Sequence, residues 1–283
     1  MAEPFGIVSG AIGIASAFST CIEVFDYVKL GRQFGRDYQT EQLRLTTVRV
    51  RLSRWGEGVH IYDDPRLGDP TATDEKVQHG KDTLMQILRL FEDSATVSSK
   101  FKLKHQDDDL NPFDADTDGS TAVISVSNKM RSLAAKRQRG ASLVKLTRWA
   151  IHDQKTLKQL IDDMTTLLDG LELLFPVPST LRDQLVAEET RQIQGQGEIK
   201  ALSMASEAVD QDIHKALATR IVGHEYKSVH VQGASSVMNG NITTDSYVGN
   251  GASGTSHVYD GVEISGSGVK VLNGDQFGGK GFF

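Results

Sequence analysis

The carboxyl-terminal part of this chain contains the same short unit twice, and that repeat constrains the fold more than any other feature. His224, Tyr226, Val229, Val231 and Gly233 recur thirty-three positions later as His257, Tyr259, Val262, Ile264 and Gly266. After one inserted residue, Val237, Met238, Asn239, Gly240 and Asn241 recur thirty-four positions later as Val271, Leu272, Asn273, Gly274 and Asp275. Alternating β-branched residues predict strands with one apolar face. The glycines predict corners, because glycine accepts positive φ without a Cβ clash. A single unit of this kind cannot bury its apolar face alone, and two copies are fewer than a solenoid needs. The missing neighbours would be other copies of the same chain. The repeat therefore predicts self-templated assembly.

Differences between the copies support stacking one over the other. Lys227 in the first copy is replaced by Asp260 in the second, and His230 by Glu263. Stacked directly, these positions would present opposite charges, worth about 0.2–1 kcal/mol per pair on adjacent strands. Val229, Val231 and Val237, with Val262, Ile264 and Val271, fall on the face that would form a dry interior. All six prolines lie at or before Pro178, so none interrupts a ladder in the tail. The competing description is a flexible Gly/Ser-rich tail that binds partners without polymerising.

Charge is distributed to match. From Lys215 onward there are five basic and five acidic residues, against 26 basic and 32 acidic before it. Thirteen of the 27 glycines follow Arg220. A near-neutral tail has little charge to hold copies apart, and the acidic remainder argues against nucleic acid as a partner. The single cysteine, Cys21, excludes an intrachain disulfide and predicts a cytoplasmic location for the unassembled protein.

At the amino terminus nineteen consecutive uncharged residues run from Pro4 to Ile22, between Glu3 and Glu23. As a helix they would span about 28 Å, close to the hydrocarbon thickness of a bilayer. No basic residue precedes them, which argues against a signal peptide. Gly6, Gly10 and Gly13 make the run only weakly apolar, which leaves a permanent transmembrane anchor as a marginal alternative. It reads as a segment that packs in a soluble protein yet could enter a membrane if released, through Phe5, Ile7, Val8, Ile12, Ile14, Phe18 and Ile22.

Between the two ends the pattern is helical. One helix carries Leu43, Leu45, Val48, Val50, Leu52 and Trp55, with Asp37 as its cap. A second covers about Asp74 to Lys104, with Leu84, Ile87, Leu88 and Phe91 on one face. The third holds Leu157, Leu160, Ile161, Met164, Leu167, Leu168, Leu171 and Leu174, ended by Pro176 and Pro178. The last covers roughly Ser179 to Leu217, interrupted or bent near Gly195 and Gly197. The predicted architecture is an all-α bundle over 1–218 and an assembling tail over 219–283, with repeats at about 223–243 and 256–278.

No enzymatic or metal centre is expected. Asp114, Asp116, Asp118 and Gly119 open an EF-hand-like loop, but its twelfth position is Ser125, which supplies no bidentate carboxylate. The eight histidines lack zinc-ligand spacing, and no phosphate-binding loop or nucleophile elbow occurs. Lys129 to Arg148 contains seven basic residues and no acidic one. That run reads as a solvated helical face, with anionic lipid headgroups as the alternative contact.

These residues resemble the fungal HET-s/HET-S heterokaryon-incompatibility family. At the amino end the resemblance rests on Glu3 to Val8, Leu30 to Arg32, Phe34 to Tyr38, Gln42 to Leu45, Arg51 to Glu57 and Asp63 to Arg66. At the other end it rests on the paired repeat and Phe277 to Phe282. It implies a soluble helical HeLo domain and a prion-forming tail, disordered as a monomer, that forms a left-handed β-solenoid amyloid. In that arrangement Val229, Val231, Val237, Val262, Ile264 and Val271 fill the interior. Gly240 and Gly274 follow the stacked Asn239 and Asn273, while Phe277 and Phe282 close the pocket. The resemblance also implies programmed cell death: templating of the tail releases the N-terminal segment to permeabilise the plasma membrane. A non-toxic prion partner is the family alternative. Glu23 and Gln33 occupy positions at which toxic and non-toxic versions differ. The implied partners are the chain itself, proteins with similar repeats, an upstream receptor and membrane lipids. No cofactor is implied.

Overall fold

The computed structural model describes residues 13–31, 37–104, 112–113, 120–139, 149–151 and 154–221. In the tail it describes 225–226, 230–232, 236–239, 242–243, 258–259, 263–266, 270–273 and 276–277. The chain divides into two units, Met1–Thr219 and Arg220–Phe283. Phe5, Ile7, Val8, Ile12, Gln33, Lys227, Val229, Gly240, Asp260, Val262, Gly274 and Phe282 lie outside the described residues, as do Asp114 to Gly119 and positions 140–148.

The first unit is built from eight helices among the described residues: α1 Ile14–Val24, α2 Asp37–Gly58, α3 Asp74–Lys104, α4 Thr121–Arg137, α5 Gln154–Leu174, α6 Ser179–Arg191, α7 Gln196–Ser206 and α8 Gln211–Ala218. The α3 boundaries coincide with those predicted. Asp37 is the first residue of α2, where a cap was expected just outside the helix. Helix α2 lies at the centre, packed against α1, α4, α5, α6 and α7. This explains why Leu43, Leu45, Val48, Val50 and Leu52 do not trace a single stripe. A helix covered on all sides needs apolar residues on all sides, and all five are buried. Trp55 joins them and donates its indole N–H to the Phe175 carbonyl at 3.2 Å.

Two features depart from the predicted bundle. A small sheet, β2–β1–β3, joins Val28–Gly31 (β1), Pro112–Phe113 (β2) and Trp149–Ile151 (β3), with β1 parallel to β3 and antiparallel to β2. The predicted final helix is three. It breaks before Gly195 as expected and again between Ser206 and Gln211, where Asp210 caps α8 by accepting from the Ile213 amide at 3.3 Å.

In the described part of the basic run Lys136 and Arg139 are exposed, as a solvated face requires, whereas Arg137 departs from it. Arg137 is buried against Glu189, Arg139 pairs with Asp63 at 3.0 Å, and Lys129 donates to both Glu198 oxygens at 2.8 Å. These cations tie α4 and its exit to other elements. Burial opposes ionisation of Glu198, but Lys129, the Ser125 hydroxyl and the Gln194 amide outweigh it and lower its pKa from 4.5 to about 2. A depressed carboxyl pKa adds stability above the unfolded value that is lost as pH falls through the folded one. Glu198→Gln is therefore expected to flatten part of the stability loss between pH 4.5 and about 2 in thermal unfolding. Asp69, held to about 2 by Lys76 and Thr71, would retain a share of the slope.

Candidate functional site

Helix α1 contains the described part of the segment expected to move. Ala17, Phe18, Cys21, Ile22 and Val24 are buried in the core, and Ile14 packs against it. Phe18 lies across the backbone of α2 at Gly56. A Cβ there would sit 3.0 Å from the ring's Cε1 and closer still to Cε2 and Cζ. The ring also meets Trp55 at 6.4 Å and the edge of Tyr62 at 5.8 Å between centroids. Polar contacts fix the helix along its length. Ser19 Oγ is 2.9 Å from the Tyr62 hydroxyl, the Gln138 amide donates to the Ser19 carbonyl at 3.2 Å, and the Cys21 thiol donates to the Leu84 carbonyl at 3.2 Å. Burial pushes the thiol's pKa far upward. Glu23 accepts from the Tyr27 hydroxyl at 3.2 Å. Among the described residues no helix is long and apolar enough to cross a membrane.

Sequence reasoning missed a cluster of buried charge. Arg54 on α2, Arg137 on α4, Glu189 on α6 and Asp210 at the start of α8 are 4%, 7%, 0% and 2% exposed. Arg54 Nη2 donates to Asp210 Oδ2, and Arg137 Nη1 donates to Glu189 Oε1 at 2.5 Å. Two guanidinium groups face these two buried carboxylates, and the more exposed Asp212 and Glu188 approach Arg54 and Arg137 at 4.0 and 3.9 Å. Burial works to lower the pKa of Arg54, while Asp210 and Glu189 outweigh it and raise the net value. Burial pushes Glu189 upward against the pull of both arginines. Among the described residues Arg54 Nη1, Arg137 Nη2 and Glu189 Oε2 have no hydrogen-bond partner and make ion-pair approaches of 3.6–4.0 Å. On the neighbouring turn, Arg51 grips Glu172 in a bidentate pair and donates to the Val209 carbonyl at 2.9 Å.

In the second unit, four two-stranded pairs join the two copies of the repeat. Glu225–Tyr226 (β4) pairs with Val258–Tyr259 (β8), His230–Gln232 (β5) with Glu263–Ser265 (β9), Ser236–Asn239 (β6) with Lys270–Asn273 (β10), and Ile242–Thr243 (β7) with Gln276–Phe277 (β11). Every pair is parallel, with a partner offset of thirty-three in the first two and thirty-four in the last two. Val231 is opposite Ile264, Val237 opposite Val271, Asn239 opposite Asn273 and Phe277 opposite Thr243. Ile264 is buried and Val271 half-buried, whereas His230 and Glu263, also opposite, are exposed. No group of three or more His, Cys, Asp or Glu that could hold a metal occurs among the described residues.

Residues 6–203 match HeLo, a family described as prion-inhibition and propagation. The chain belongs to the HeLo family. It is 36% identical over 289 residues to heterokaryon incompatibility protein s of Podospora anserina, covering 100% of this chain and 99% of that one. Heterokaryon incompatibility protein S of the same fungus matches at the same identity and coverage. The HeLo domain also resembles the solved HET-s N-terminal domain, with a TM-score of 0.69 at 35% identity, covering 75% of this chain and 98% of that domain. A doubly substituted form of that domain gives 0.66 at 34% identity.

Proposed function

We propose that this protein is a cell-death relay of the heterokaryon-incompatibility type. The tail assembles on a template of the same repeat, and that event frees α1 and the residues before it to permeabilise a membrane. The in-register parallel pairing of the two repeat copies is the observation that carries the reading. A parallel pair leaves unpaired backbone groups on both outer edges, which invite another copy to add. The layered stack would then be a β-solenoid with two layers per molecule. The near-neutral tail and the absence of proline after Pro178 favour the same outcome. Partners on this reading are other copies, proteins with similar repeats, an upstream receptor that displays one, and membrane lipid. No step requires bond chemistry, so the protein acts without catalysis or cofactor, passing from the cytoplasm to the plasma membrane.

Preformed tail fibrils added to the full chain with dye-filled liposomes test this. Seeds are expected to shorten the thioflavin lag and to trigger dye release. Release should disappear when residues 1–22 are removed. Fibrils without release at any seed dose would select the non-toxic prion partner. Sharp tail amide resonances after prolonged seeding would select the adaptor with a non-polymerising tail.

A further inference from the structure

Each guanidinium of the buried cluster is followed in the chain by residues that hold α1. Arg54 precedes Trp55 and Gly56, which seat Phe18; Arg137 precedes Gln138, whose amide binds the Ser19 carbonyl. The carboxylates come from the other direction. Asp210 uses one oxygen for Arg54 and the other to cap α8, which ends at Ala218, beside the division between the two units. Four helices therefore meet at one set of charges, with the tail-proximal helix on one side and the docking surface of α1 on the other.

We propose that this cluster is a catch that keeps α1 docked, and that withdrawal of Asp210 with α8 opens it. The inference deepens the relay reading and rests on it for biological meaning. Its physical basis is the cost of an uncompensated charge. Removing one partner of a buried pair leaves the other desolvated and alone, which is strongly destabilising. With α8 withdrawn Arg54 would lose Asp212 as well and keep only the 3.6 Å approach to Glu189, which Arg137 already holds, so it would turn towards water and shift one turn of α2. That turn has no slack, because the Phe18 ring rests directly on Gly56. Release thus depends on residues that touch neither the membrane nor the template.

Cys21 is the only cysteine, it is buried in α1, and it provides the readout. Asp210→Asn keeps a residue able to cap α8 while removing the charge. Maleimide labelling of Cys21 in this variant, without seeds or lipid, is expected to be about tenfold faster than in the wild type. Asp183→Asn, an exposed change on α6, should label at the wild-type rate. Leu202→Ala, a core truncation on α7, serves as a variant of lowered melting temperature and should label more slowly than Asp210→Asn. A folded Asp210→Asn labelling within about twofold of the wild type overturns the proposal, as does a Leu202→Ala that labels equally fast at equal melting temperature. If Asp210→Asn does not fold, Arg51→Gln decides, since it loosens the Val209 anchor without stranding a buried charge; unchanged labelling overturns the catch. Because neither seeds nor liposomes are present, failure here is separate from failure of the relay, which would appear as a wild type that does not leak on seeding.

Discussion

Gly56→Ala is expected to produce a protein that leaks liposomes without any seed. The added methyl would occupy the space of the Phe18 ring, which is confined by Trp55 and Tyr62. An aromatic ring cannot bend away as a lysine chain can, so α1 must lift or α2 must shift. Overpacking of this kind costs about 1–3 kcal/mol. At about 2–4 °C per kcal/mol for a domain of this size, the melting temperature should fall by several degrees. The larger effect should appear at α1, as rapid labelling of Cys21 and dye release by the unseeded variant. Unchanged labelling and melting would mean that Phe18 is not the residue that holds the segment in place.

Placing proline at both Val231 and Ile264 is expected to abolish assembly. The two residues face each other at the centres of β5 and β9. Proline removes a ladder donor and is excluded from paired central strands. The double change should extend the thioflavin lag beyond observation and reduce seeded growth by at least about tenfold, because both layers are interrupted at one level. Leakage should be lost with it. Helical content and melting of the first unit should not change, since the substitutions lie wholly within Arg220–Phe283. The reciprocal exchange, Val231→Ile with Ile264→Val, preserves total volume and should retain growth. Seeded growth at the wild-type rate in the proline variant would contradict the proposed stacking.

The sequence revealed long-period features well and short or distant ones poorly. The leucines from Leu157 to Leu174 and the boundaries of α3 were legible because several helical turns repeat the same signal. The register of the tail was legible because the chain writes it twice. By contrast, β1 and β3 have four and three residues, too few for an alternating pattern to emerge. The break before α8 left only Asp210 as a signal, a cap residue followed by an apolar residue. The charge cluster was hidden by distance: Arg54 and Asp210 are 156 residues apart, and Arg137 and Glu189 are 52 apart. Nothing local distinguishes Arg54 from Arg51 or Arg49. A polar residue within the crowded apolar run of α2 was the one available hint, because a helix enclosed on every side must bury its arginines beside acids.

The offset between the repeat copies changes from thirty-three to thirty-four between Ser265 and Lys270, where Gly266 has φ 137°. The segment joining β9 to β10 is therefore one residue longer than that joining β5 to β6, and the two copies are not interchangeable. An arriving molecule laid down one layer out of phase would set long corners against long corners and Glu263 against Glu263. Growth should advance in whole-molecule steps of about 9.5 Å, twice the spacing between strands. On the proposed stacking a filament would proofread its own phase, rejecting a foreign tail whose connecting segments differ by a single residue.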